Sequence, residues 1–374
     1  NNFLWSEKKK SEVQIWVKNS THFIIGRWNS ELAMIQSTHF VIGSRDSELA
    51  MIQSQHVRAL LCAAHPDRTF EISAHSTSGD RELDSPLAVL AAREPGLFTK
   101  DLEKGLATQA FDLVVHSLKD MPTTLPPGLA LASITEREPV EDVLVVAPRH
   151  KGVGGFANLP EGAVVGTSSV RRAALLRRAH PHLVQRDVRG NLQTRLRKLD
   201  ADGGEYDALL LAHAGLKRLG WDERVEAVLD AGSWPYGPGQ GALGIECRAD
   251  DARTLAVVRA CTHAPTWERC TAERAFMRGL LGGCQVPIAV NSETRADGTL
   301  FVSGTVLALD GQTSVSGEVA GAAAEAEQLG TALANDLKAR GASAILGRLG
   351  ADGAARATTY SDAATDDAAE AVAK

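Results

Sequence analysis

Two α/β domains with mixed or parallel sheets, followed by a smaller α+β domain, are the architecture this 374-residue sequence predicts. Three observations predict it. Short β-branched runs alternate with helical patterns from residue 38 to about 260. Those runs are largely apolar, as strands covered on both faces are. After about 262 the order changes to a long helix, three strand-like segments spaced as an antiparallel meander, and a closing helix. The length is ample for two or three cores, and 44% apolar with 23% charged residues excludes global disorder.

The expected strands are 38–43, 69–75, 112–117, 129–134, 142–148, 163–168, 183–188, 207–212 and 242–248, each short and apolar. Between them, 47–65, 99–109, 170–180 and 191–202 carry helical spacing, several with Ser or Asp at the preceding turn as N-cap. The third domain begins with a helix over 264–281 that ends at Gly282-Gly283. Strands 287–294, 299–311 and 312–321 follow, then a helix over 325–342. Gly-rich 151–162 and 233–241 break the alternation and read as inter-domain or hinge segments. The expected domains are 38–139 with 240–260, 140–239, and 261–349, with a disordered Ala/Asp/Thr-rich tail over 350–374.

A tandem repeat stands at the start: THFIIGRWNSELAMIQS over 21–37 is followed at once by THFVIGSRDSELAMIQS over 38–54. Two copies are too few for a solenoid. Only the second continues into more helix and a further strand, so it is expected to be built into the fold, with 1–37 as an appendage.

Net charge is −6, which argues against a nucleic-acid-coating protein. The most apolar stretch, 207–216, is far too short to span a membrane. The first residues lack the apolar run of a secretory signal. Five cysteines, widely spaced and without a CxxC pair, fit neither a disulfide framework nor a zinc site, so a reducing compartment and no metal are expected. Cys62, Cys247, Cys261 and Cys270 fall within helix or strand patterns and read as buried thiols.

The strongest chemical signal is local. Between Ser168 and Lys198 lie eight arginines and one lysine against a single acid, Asp187. Thr167, Ser168 and Ser169 precede a helix that opens with Arg171 and Arg172, an arrangement offering hydroxyls, free N–H groups and guanidinium forks to an anion. Arg189-Gly190-Asn191 repeats it after the next strand, and Arg45 beside Ser44 and Ser47 makes a third such turn. Three anion-binding turns imply a ligand with several negative groups, carboxylates or phosphates. For Arg177, Arg178 and Arg197 a solvated helix face is an equal reading. Lys119 and Asp120 end a strand, where α/β sheets deliver side chains to a ligand crevice. An aspartate there can stabilise a developing cation, orient an amine, or simply cap a turn. Cys284 follows two glycines and precedes Val-Pro, as a nucleophilic or group-carrying thiol on a loop would; a buried free thiol is the alternative.

Several long motifs occur together and in order: IGSRDSELAMIQ, TSGDRELDSPL, GLFTKDLE, DLVVHSLKDMPT, VVGTSSVRRAALL, VRGNLQTRLRKLD, LLAHAGLKRLG, GQGALGIECR and AERAFMRGLLGGCQVP. Through them residues 38–345 resemble the porphobilinogen deaminase (hydroxymethylbilane synthase) family. The resemblance implies a monomeric transferase that condenses four porphobilinogens, releasing ammonia, on a dipyrromethane primer. It also implies three domains, the first two like periplasmic binding proteins and forming a cleft, with the cofactor loop on the third. Cys284 matches the cysteine holding that cofactor by a thioether, and Asp120 the catalytic aspartate. Arg45, Ser47, Lys119, Thr167, Ser168, Ser169, Arg171, Arg172, Arg189 with Gly190, and Arg195 match residues that bind acetate and propionate groups. Gln53, Lys100 and Gln240 match polar residues near the cleft. The implied setting is cytoplasmic, or a plastid should a transit peptide have been removed, with neither nucleic acid nor membrane as partner. Pro95, Leu281 and Pro238 depart from the family's pattern, as does the duplicated start.

Overall fold

The structure is a computed structural model that describes residues 38–77, 99–280 and 286–348. The chain builds a first sheet, crosses to a second, and returns to finish the first. The first sheet starts with β1 (His39–Arg45), helix α1 (Glu48–Ala64) and β2 (Thr69–His75). Helix α2 (Lys100–Ala107), β3 (Leu113–Ser117) and β4 (Leu129–Ile134) follow. The second comprises β5 (Asp142–Val146), β6 (Val164–Gly166), helix α3 (Val170–Ala179), β7 (Val184–Arg186), helix α4 (Leu192–Asp200), β8 (Ala208–Ala212), helix α5 (His213–Arg218) and β9 (Ala227–Val228). Strand β10 (Leu243–Arg248) then inserts between β3 and β4, giving the order β2-β1-β3-β10-β4. The second sheet runs β7-β6-β8-β5-β9. In each sheet four strands run in one direction and one, β10 in the first and β5 in the second, runs against them.

The apolar runs follow from burial on both faces. Every residue of β5 and β8 is buried. Leu144, Val165 and Leu210 pack on one side of that sheet, and Val143, Leu209 and Leu211 on the other. After helices α6 (Ala252–Val258) and α7 (Ala264–Gly279), strands β11 (Ile288–Thr294), β12 (Thr299–Leu307) and β13 (Ser314–Ala322) form an antiparallel meander. Helix α8 (Ala326–Leu337) joins α7 over this sheet, around Phe276, Leu300, Val302, Leu333 and Leu337. The second copy of the repeat forms β1 and the start of α1; the first lies outside the described residues, as does the tail over 350–374. No helix among the described residues is long and apolar enough to cross a membrane.

Two expectations need correction. The Gly-rich segment 151–162 is not inter-domain: it joins β5 to β6 within one sheet, and its Phe156 and Leu159 are buried in that sheet's core. Glycine content marks a chain reversal but not its destination. Cys62 is exposed, because α1 buries the face carrying Gln53, Ser54, Val57 and Leu61, and residue 62 is turned about 100° away from Leu61. Cys247, Cys261 and Cys270 are buried, and burial pushes each thiol up to about 12.

Both crossovers between the first two sheets, 135–141 and 229–242, meet at a buried ion pair. Arg137 donates to both carboxylate oxygens of Glu273 on α7, at 2.7 and 2.8 Å, and its Nε donates to the Gln240 carbonyl. Glu273 also accepts from Tyr236, Ser292 and the Gly239 amide. Burial alone would raise its pKa, yet Arg137 holds it below the ordinary carboxylate range. Arg137→Ala leaves that carboxylate buried and uncompensated. It should cost about 3–5 kcal/mol in a denaturant titration, whereas a loss under about 1 kcal/mol would mean the pair behaves like a surface one.

Candidate active site

Three strand-to-helix turns and one strand end converge on a cleft of about 650 Å³. At the first turn Ser47 is the N-cap of α1, and Ser44 below it accepts a 2.7 Å hydrogen bond from Ser54, fixing the chain where Arg45 emerges. One turn into α1, Gln53 Nε2 donates to Ser117 Oγ at the end of β3. The chain then enters a short 3₁₀ turn, Leu118–Asp120, whose first amide donates to the Ala242 carbonyl. Gly239 lies against this turn: with φ +74°, a Cβ there would stand 3.2 Å from the Lys119 amide nitrogen. The left-handed φ favours glycine, and the close approach adds to that preference.

On the opposite wall Asn191 caps α4 by accepting from the Thr194 amide, and Arg195 Nε donates to the Gly190 carbonyl. Gly190 has φ +111°, and a Cβ would collide with Thr194, so this turn too needs glycine. Arg218 of α5 donates to the Gly241 carbonyl at 2.7 Å and closes the floor.

The lining carries six cations, Arg45, Lys119, Arg172, Arg189, Arg195 and Arg218, against three carboxylates, Asp46, Glu48 and Asp120. Crowding them away from water weakens their hold on their protons. Desolvation lowers the Lys119 pKa to about 8, with Arg172 and Arg171 adding to the fall and Asp120 and Asp142 opposing it. Arg195 falls to about 10, again by desolvation, with Arg172 and Arg189 repelling its charge. Such a site gains most from a ligand that brings negative charge. Arg172 Nε is buried there and makes no hydrogen bond.

Nine expected residues therefore line one cleft: Arg45, Ser47, Gln53, Lys119, Asp120, Arg172, Arg189, Gly190 and Arg195. Arg171 and Gln240 lie one layer behind, both bonded to Asp142. Thr167, Ser168 and Ser169 line a separate cavity of about 80 Å³ with Arg177 and Gln185. Ser169 caps α3 there, and Ser168 bonds the backbone of Val188. Lys100 is exposed at the start of α2, outside the cleft lining. Arg177 is no solvated face, since it bonds Leu309 O at the β12–β13 hairpin; Arg178 bonds Ser314 Oγ there but is exposed, as is Arg197. Cys284 lies outside the described residues, in the connection from α7 to β11. The sequence reading missed Arg218 and Asp142. A lone acid heading an otherwise apolar strand was the available signal for Asp142.

Two α/β sheets flank a cation-rich cleft whose charge suits a polyanionic small molecule. Residues 40–256 match the sequence model described as porphobilinogen deaminase, dipyromethane cofactor binding domain, and residues 267–339 match that of the porphobilinogen deaminase C-terminal domain. The chain is 52% identical to the porphobilinogen deaminase of Synechococcus elongatus over 290 residues, covering 78% of this chain and 89% of that protein. It is 51% identical to that of a Nostoc species over 296 residues, 79% and 90% of the two chains. For Gloeobacter violaceus the identity is 50% over 327 residues, 87% and 93%. The chain belongs to the porphobilinogen deaminase family, transferases of tetrapyrrole biosynthesis, and carries the family's dipyrromethane-cofactor-binding domain.

Proposed function

We propose that the cleft holds a Cys284-linked dipyrromethane and the chain growing from it, with Asp120 as the catalytic residue. The observation that carries this reading is the position of Asp120, which lines a cleft where six cations outnumber three carboxylates. The donor set fits the cofactor, since each pyrrole unit brings two carboxylates and Arg45, Lys119, Arg172, Arg189, Arg195 and Arg218 can pair with them. When bound, the cofactor supplies a pyrrole carbon free to form the next bond. Each addition breaks the aminomethyl C–N bond of one porphobilinogen, forms one C–C bond, and releases ammonia, the proton lost from the ring balancing the one the amine takes up on leaving. The incoming unit becomes cationic as its amine leaves, and the Asp120 carboxylate is placed to stabilise that charge. The cations around it hold the acidic side chains and so orient the two reacting rings.

In this reading 38–139 with 240–260 and 140–239 are the lobes flanking the cleft, and 261–349 carries the cofactor. The chain acts as a monomer on a small molecule. Buried thiols at Cys247, Cys261 and Cys270 support a reducing, cytoplasmic or plastidial, setting.

The test is kinetic. Arg189→Leu should raise KM for porphobilinogen roughly tenfold with a smaller change in kcat, the signature of lost uniform binding. An unchanged KM would count against the cleft. The pH profile gives an independent check. Lys119 passes from charged to neutral as pH rises through about 8, so kcat/KM should fall above that pH. Lys119→Arg, whose guanidinium stays charged, should carry activity further into the alkaline range. A wild-type profile flat up to pH of about 10 would remove Lys119 from the binding set.

A further inference from the structure

Asp142 is fully buried at the head of β5, and it sits among donors only. Its Oδ2 accepts from Arg171 Nη1 at 2.8 Å and from Trp234 Nε1 at 3.1 Å. Its Oδ1 accepts from Arg172 Nη2 and Gln240 Nε2, both at 2.8 Å, and from Arg171 Nη2 at 3.3 Å. Three parts of the molecule meet on this one carboxylate: the first turn of α3, the start of β5, and the crossover that carries Trp234 and Gln240. Arg171 Nη1 also donates to the Pro235 carbonyl, and Arg171 lies behind the cleft lining. Arg172 reaches the cleft. It donates to Asp142, to the Leu210 carbonyl and, at 3.4 Å, to Gln240 Oε1, and keeps a buried Nε without a hydrogen bond.

We infer that Asp142 is a positioning residue of the reaction, aiming Arg172 at the cleft with Arg171 held behind it and tying that aim to the 229–242 crossover. The inference rests on the polycarboxylate reading of the cleft. Only a charged carboxylate can do this work. Each of its oxygens faces at least two donors, so an amide turned either way would set its own NH₂ against them. One negative charge against two guanidiniums also leaves a single net positive charge, enough to attract a ligand carboxylate without two bare cations in the interior. The Arg171–Arg172 charge balance bears on Lys119 as well, which faces Asp120 from its own turn, Arg171 and Arg172 from α3, and Asp142 from β5.

Asp142→Asn and Asp142→Glu separate this role from a merely structural one. Neutralising Asp142 removes a charge that helps Lys119 keep its proton, so in Asp142→Asn the alkaline limb of kcat/KM should move down by at least about half a pH unit. Its KM for porphobilinogen should rise roughly fivefold or more. Asp142→Glu keeps the charge but displaces the guanidiniums, so KM should rise about threefold while the limb stays in place. A structural role alone would lower the melting temperature of Asp142→Asn and leave limb and KM where they are, and that result would overturn the inference. Should Asp142→Asn fail to fold, judged by circular dichroism, Asp142→Glu decides: a raised KM supports positioning, and wild-type KM refutes it. Failure of the cleft reading itself looks different, because Arg189→Leu would then have wild-type KM whatever Asp142 does.

Discussion

Asp120→Asn should lower the rate of ammonia release by about 10²–10³-fold, the cost typical of removing one preorganised charge from a developing transition state. The substitution is close to isosteric, and Asp120 is exposed to the cleft in a three-residue turn anchored by the Leu118 amide, so the fold should persist. The other carboxylates lining the cleft, Asp46 and Glu48, lie on a different element, flanking Ser47 at the start of α1. The loss should appear in kcat and kcat/KM together, since the charge being stabilised exists only once the amine departs. Asp120→Glu, with the charge kept but moved by one methylene, should recover part of the rate. An Asn variant retaining more than about a tenth of wild-type turnover would deny Asp120 that role.

Much of this site was legible because its parts are local. A serine or asparagine cap, an arginine two or three residues away, and a strand before it are contiguous in sequence at Arg45, Arg172 and Arg189, and the structure brings these three arginines to one cleft. Lys119 and Asp120 were legible for the same reason, as the end of an apolar strand. What could not be read was non-local. Asp142 is 29 residues from Arg171, 92 from Trp234 and 98 from Gln240, and nothing in DVLVV says that three segments will converge on its first residue. The same holds for 151–162, whose glycines announced a break that closes on its own sheet. Thr167, Ser168 and Ser169 show the converse limit. Their hydroxyls bond the backbone around α3 and line a second, smaller cavity, an arrangement that the residue types alone do not reveal. Arg177 likewise finds its partner 132 residues away on the third sheet's hairpin, a pairing that only the assembled fold creates.

Cys284→Ala should abolish turnover altogether, a larger effect than any single charge in the cleft can have. The cations and Asp120 act on whatever pyrrole chain lies between them, but a chain that is not tethered would have to be bound afresh for every addition. Covalent attachment replaces that encounter with a fixed, high effective concentration. The described thiols offer no substitute: Cys247, Cys261 and Cys270 are buried with their acidity suppressed, and Cys62 lies on the exposed face of α1, away from the cleft lining. The most direct measurement is the intact mass of wild type and Cys284→Ala purified side by side. Wild type should exceed its sequence mass by two porphobilinogens less two ammonias and stain with Ehrlich's reagent. The variant should match its sequence mass and remain unstained. A wild type at bare sequence mass after incubation with porphobilinogen, or an adduct that survives in Cys284→Ala, would contradict the assignment of Cys284 as the anchor of the chain held against Asp120.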